Sequence, residues 1–190
     1  ASGVNYSISN NTIGYGSSSG TGTTTYTGAV AGTFRAIEIT VGNAIASEIQ
    51  GNIITAISFT TTSGSAAAPG VFTGVSVLGG AVNIGTTASN TIGASSGTGA
   101  ISVTSTTTLG YIAGIYVTSS NAVTIQNNIV GSVKTGSGPT IGHTFYGINT
   151  AGIGSFSING NSIGSSTTAN SITVGTTATT TGICTFNGIV

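Results

Sequence analysis

Gly114-Ile-Tyr-Val-Thr-Ser-Ser-Asn-Ala-Val-Thr-Ile-Gln-Asn-Asn-Ile-Val-Gly131 is the stretch whose reading decides the fold. It opens on a small residue followed by alternating apolar positions, turns through Ser and Asn, and resumes with Val123 and Ile125 on one face. Period-two alternation rich in Ile, Val and Thr, bounded by Gly, Asn and Ser, is the pattern of short half-buried strands. Its second half, Ile125-Gln-Asn-Asn128-Ile-Val130-Gly131, returns as Ile8-Ser-Asn-Asn11-Thr-Ile13-Gly14 and Ile158-Asn-Gly-Asn161-Ser-Ile163-Gly164. Weaker copies are Ile49-Gln-Gly-Asn52-Ile-Ile54 and Thr87-Ala-Ser-Asn90-Thr-Ile92-Gly93. Measured from Asn to Asn the spacings are 52−11 = 41, 90−52 = 38, 128−90 = 38 and 161−128 = 33.

The first half of the stretch also recurs, as Ala36-Ile-Glu-Ile39, Gly74-Val-Ser-Val77, Gly147-Ile-Asn-Thr150 and Gly182-Ile-Cys-Thr185. Ala36, Gly74, Gly114, Gly147 and Gly182 are read as the small residues of a repeat turn. A third alternating segment lies between the two signatures: Ile57-Ser-Phe59, Ile101-Ser-Val103 and Ile172-Thr-Val174. Length variation collects in that interval, in Gly/Ser/Thr tracts such as Gly14 to Gly28 and Gly93 to Gly99 that read as loops. No segment keeps a helical period. Three short strands per repeat, stacked on their equivalents in the next, give an all-β right-handed parallel β-helix, a solenoid that buries its apolar face only by stacking. The expectation is about five three-stranded rungs of 33 to 41 residues, with repeats at 1–42, 43–81, 82–121, 122–154 and 155–190. A β-sandwich or donor-strand subunit also has short strands, but does not repeat three matched strands at one period. Alternation puts Ile8, Ile13, Ile37, Ile39, Ile49, Val75, Val77, Ile92, Ile115, Val117, Ile125, Val130, Ile148, Ile158 and Ile163 in one continuous core.

Charge narrows the function. Of 190 residues only Arg35, Lys134, Glu38 and Glu48 carry formal charge, and Asp is absent, against roughly a quarter of residues in an ordinary domain. With no basic stripe to displace counterions, nucleic acid is excluded as a partner. No apolar run reaches the roughly 18 to 20 residues of a membrane span. The sequence begins without Met or a signal-type stretch and reads as a mature product or an excised segment. Neither end carries a charge, a proline or a helical cap, so the expected partner is the chain itself or flanking repeats, stacked head to tail.

The repeat Asn residues, Asn11, Asn52, Asn90, Asn128 and Asn161, are read as a structural ladder, because stacked identical Asn side chains bond along such an array and Asn tolerates left-handed backbone. Threonine tracts (Thr23 to Thr25, Thr60 to Thr62, Thr104 to Thr108, Thr179 to Thr181) would bind a regular surface only if aligned as Thr-x-Thr at one rung position. Their irregular offsets from the Asn anchor argue instead for solvated strand surface. Glu38 and Glu48 are the only side-chain carboxylates. Glu38 sits beside Arg35 as an ordinary ion pair, so a glycosidase-type pair is not expected. His143 reads as a solvated loop residue, Cys184 as a lone thiol at a strand position, and no metal, cofactor or catalytic set is expected.

The repeated Asn-x-Ile-Gly and the Gly114 to Gly131 block resemble the right-handed parallel β-helix repeats of very large secreted bacterial surface proteins and adhesins. The resemblance covers essentially the whole chain and implies an extracellular or cell-surface location and a structural or adhesive role. The expected function is therefore a fibre segment built by stacking rungs, assembling into filaments. The alternative is an adhesin module meeting surface polysaccharide through variable loops and exposed Tyr15, Tyr26, Tyr116 and Tyr146. A polysaccharide-degrading enzyme or an ice-binding protein ranks below both.

Overall fold

The computed structural model describes residues 3–62, 67–106, 110–137, 142–175 and 183–190. The described residues form strands and turns and no helix. The first rung runs β1 (Ser7–Ser9), β2 (Thr12–Gly14), β3 (Thr24–Thr27) and β4 (Phe34–Thr40). The second runs β5 (Ser47–Gln50), β6 (Ile53–Thr55), β7 (Ile57–Thr61) and β8 (Phe72–Gly79), and the third β9 (Val82–Ile84), β10 (Thr91–Gly93), β11 (Ile101–Ser105) and β12 (Gly110–Val117). The fourth holds β13 (Val123–Gln126), β14 (Ile129–Gly131), β15 (Val133–Ser137) and β16 (His143–Thr150), and the fifth β17 (Phe156–Asn159), β18 (Ser162–Ile163), β19 (Ile172–Val174) and β20 (Thr185–Ile189).

Equivalent strands pair in parallel into four five-stranded sheets, β1-β5-β9-β13-β17, β2-β6-β10-β14-β18, β3-β7-β11-β15-β19 and β4-β8-β12-β16-β20. This is a parallel β-helix. Each rung has four strands where the sequence suggested three, because the Asn signature is two strands rather than one. Ile8 and Ile13 both turn inward five residues apart, an odd spacing that a single extended strand cannot supply. The chain bends between them. In four of the five rungs the bend places the residue before the ladder Asn in left-handed backbone: Asn10 (φ 58°), Gly51 (65°), Asn127 (57°) and Gly160 (64°), the third rung being the exception. The ladder Asn residues themselves do not adopt it, so their selection rests on the amide and not on backbone tolerance.

Inward residues form columns one rung apart. Ile8, Ile49, Ile84, Ile125 and Ile158 make one, and Ile13, Ile54, Ile92, Val130 and Ile163 another. On the fourth sheet Phe34, Phe72, Ile112, Phe145 and Phe186 align, beside Ile37, Val75, Ile115, Ile148 and Ile189. All fifteen residues expected in the core belong to it; Ile8, Ile13, Ile39, Ile158 and Ile163, from the first and fifth rungs, are partly buried and the other ten buried.

The small residues sit in the middle of fourth-sheet strands and not in turns. Ile112 and Ile115 both face the core, so the strand bends inward at Ala113 and Gly114. A Cβ at Gly114 would lie 2.6 Å from the Gly147 carbonyl oxygen and 2.7 Å from the Val130 side chain, and one at Gly74 2.7 Å from the Gly114 carbonyl oxygen. Ala36 holds the same place in the first rung, between the pairs Arg35 with Thr73 and Ile37 with Val75. In the fifth rung the place belongs to Gly188, because Tyr146 pairs with Asn187 and Ile148 with Ile189. The assignment to Gly182 is therefore six residues too early, and Gly182 itself lies outside the described residues.

Candidate functional site

The five anchor Asn residues stand at the start of the second sheet, one above another. Asn11, Asn52, Asn90 and Asn128 each donate from the side-chain Nδ2 to the Oδ1 of the next, at 2.9 to 3.0 Å. Their main-chain N–H groups donate to that same Oδ1, at 2.9 to 3.3 Å. Each Nδ2 from Asn52 onward also reaches back to a main-chain carbonyl of the preceding rung: Ile8, Ile49, Ile84 and Ile125. Asn52, Asn90 and Asn128 are wholly buried. A buried amide left unpaired is costly, and here each one bonds both neighbouring rungs, with Asn128 Nδ2 also closing the bend of its own rung on the Gln126 carbonyl.

The outer face of the third sheet carries an aligned hydroxyl array. Thr25, Ser58, Ser102, Lys134 and Thr173 share one register position, and Thr27, Thr60, Thr104 and Gly136 another two residues on. The alternate positions Ile57, Phe59, Ile101 and Val103 are buried, so the hydroxyls face outward. Thr-x-Thr or Ser-x-Thr is thus in register over three rungs, contrary to the irregularity expected, because loop insertions before each strand shift the sequence offset and not the rung position. Thr107, Thr108 and Thr179 to Thr181 lie outside the described residues.

The two carboxylates serve separate networks. Glu38 lies 3.6 Å from the Arg35 guanidinium, which also donates to the Phe34 and Gly70 carbonyls. Glu48 accepts from Gln50 Nε2 at 2.6 Å and Asn83 Nδ2 at 2.7 Å. Gln50 in turn accepts the N–H groups of Thr87 and Ala88. Glu48 thereby secures the long turn before Asn90.

His143 is not a solvated loop residue. It is the first residue of β16 and wholly buried, with its ring over Gly110, where a Cβ would lie 3.1 Å from Nε2. Burial lowers its pKa from 6.5 to about 4, against an opposing pull from the Ser105 main chain, so the ring is neutral at pH 7. Tyr116 is likewise not exposed. It packs with Tyr111 and Ala113 in a small cluster outside the fourth sheet, with half-buried Tyr146 against them. Tyr111 stacks on Tyr146 at 4.7 Å and accepts from the Asn149 amide. Burial raises its pKa to about 12. Cys184 is exposed, immediately before β20.

Among the described residues no three His, Cys, Asp or Glu side chains converge as metal ligands, and no helix is long and apolar enough to cross a membrane. The end rungs leave part of their inward apolar surface exposed, although Ile37 on the first rung stays buried. Phe186 is 52% and Ile189 50% exposed on the fifth rung. Tyr26 is 38% exposed on the first. Comparison with known proteins finds no matching family, no matching curated protein and no matching solved structure.

Proposed function

We propose that this chain is a structural and adhesive segment of an extracellular, cell-surface fibre, built by stacking β-helix rungs. One observation carries the reading: the Asn ladder and four inward apolar columns run through all five rungs, and apolar side chains of those sheets stand exposed on the end rungs, Phe186 and Ile189 on the fifth and Tyr26 on the first. A solenoid gains stability at each stacked interface and needs a polar cap where stacking stops. Its first and fifth rungs present Tyr26, Phe186 and Ile189 instead. The sequence resemblance to surface-protein repeats supports the extracellular placement. Light scattering and negative-stain microscopy on the purified chain at micromolar concentration test it. Linear particles are expected; a monodisperse particle near 18.2 kDa would contradict it.

A surface-binding adhesin role is favoured by a different observation, the outward hydroxyl register of Thr25, Thr27, Ser58, Thr60, Ser102 and Thr104. Such an array offers hydroxyls and methyls at a repeat of about 4.8 Å along the axis, suited to an ordered polysaccharide surface. Pull-down with crystalline polysaccharide, compared with a Thr60→Lys/Thr104→Lys variant, tests it; equal retention of both proteins would rule the face out.

A further inference from the structure

The Asn ladder has a direction. Every internal step runs from the N–H and Nδ2 of one Asn to the Oδ1 of the Asn one rung later. The first rung therefore presents Asn11 Oδ1 with no ladder donor before it. The fifth presents the N–H of Asn161 with no ladder acceptor after it, and an Nδ2 that holds the Ile125 and Asn159 carbonyls, as Asn128 Nδ2 holds two carbonyls while also sharing its ladder bond. One end face is an acceptor and the other a donor, so the two complement each other and neither complements itself.

The apolar columns match in the same sense. Ile158, Ile163, Phe186 and Ile189 on the last rung occupy the columns that begin with Ile8, Ile13, Phe34 and Ile37 on the first. Within the chain this aromatic column stacks closely, Phe34 on Phe72 at 5.4 Å and 5°, and Phe145 on Phe186 at 5.6 Å and 13°. Phe186 then lines an open recess on the end face together with Ile163 and Ile172. At Gly74, Gly114 and Gly147 the next rung's carbonyl stands within 2.7 Å of where a Cβ would be, while at Gly188 nothing lies within 4 Å. The last rung has the shape of an interior rung lacking its neighbour.

Resting on the stacked-rung reading above, we propose that the fifth rung docks onto the first rung of a second copy of this chain, with Asn161 donating to Asn11 of that copy and Phe186 covering its Phe34. The ladder fixes the polarity. Tail-to-tail contact would oppose donor to donor, head-to-head acceptor to acceptor, and parallel strand pairing would fail in both. The contact does not close on itself and gives a linear filament.

Two variants with opposite defects test this. Asn161→Asp keeps the oxygen that Asn128 needs and the main-chain N–H, but replaces Nδ2, with its bonds to the Ile125 and Asn159 carbonyls, by a charge on the fifth-rung face, so the tail fails and the head stays intact. Asn11→Ala removes the outward acceptor, so the head fails and the tail stays intact. Each variant alone is expected to need about tenfold or more higher concentration to associate, with the strand signal in circular dichroism retained. Ser157→Asp, the same charge on the outer face of β17, should assemble like wild type. Mixing Asn161→Asp with Asn11→Ala in equal amounts leaves one competent tail and one competent head, and should give dimers and nothing longer. Wild-type filaments with undiminished assembly of Asn161→Asp would overturn the ladder's role and leave the stacked-rung function standing. A mixture that stays monomeric would overturn it as well. Wild-type chain that remains monomeric at every concentration would remove both.

Discussion

At the scale of single residues, position in the stack decides energetic weight. Asn90 holds Ile49 and Asn128 through its Nδ2 and receives two donors from Asn52 on its Oδ1, all without solvent. Asn90→Ala leaves several buried groups unpaired at about 1 to 3 kcal/mol each, so a loss of about 3 kcal/mol or more is expected in urea unfolding. Asn11→Ala, at the exposed end, is expected to cost about 1 kcal/mol; equal costs would refute a load shared along the ladder. His143 sets an acid limit. Its folded pKa is depressed to about 4 from 6.5, so below pH 6.5 the unfolded state binds a proton that the folded state refuses. Stability then falls as pH drops from 6.5 toward 4, by about 3 kcal/mol in all, and is unaffected by this group above 6.5. Comparing thermal melts of wild type and His143→Leu at pH 7 and pH 4.5 isolates the contribution; parallel shifts in the two proteins would contradict it.

At the scale of elements, the mid-strand glycines set how closely the fourth sheet bends against the second. Gly114→Ala drives a Cβ against the Gly147 carbonyl and Val130, and overpacking of this kind costs about 1 to 3 kcal/mol. Gly188→Ala meets open space and should be near neutral in the monomer, a contrast that chemical denaturation of the two variants reads directly. Much at this scale was legible in the sequence. The Asn-x-Ile-Gly spacing and the apolar alternation around Ile115 and Ile125 specify a parallel stack and its inward faces. The fourth strand was hidden because β2, β6 and β10 are three residues long and show one inward side chain each, too little for alternation to register. The odd spacing from Ile8 to Ile13 was the signal available. Gly182-Ile183 and Gly188-Ile189 fit the small-residue pattern equally well, and only register with Ile148 separates them. The buried state of His143 was not legible at all, since it depends on Gly110 leaving room for the ring in the neighbouring rung.

At the scale of the whole molecule, a chain with four charged side chains stabilises itself by repetition: each interior rung is covered on both sides by its own kind, and the end rungs are not. In the chain kept unassembled by Asn11→Ala, hydrogen exchange should therefore rise in protection from the first and fifth rungs toward the third, with Ile92, Ile101 and Ile115 amides among the slowest; protection uniform along the axis of that unassembled chain would speak against additive stacking. Ile115→Asp, placing a charge in the sealed column between Val75 and Ile148, should cost several kcal/mol, about 3 or more, and abolish folding of the central rungs. The most direct test of a stacked-rung fibre is diffraction from oriented assemblies of the purified chain. A meridional reflection at about 4.8 Å, with the filament no wider than one solenoid, is the predicted result. Assemblies with that spacing perpendicular to their long axis, or no elongated assembly at all, would contradict the account.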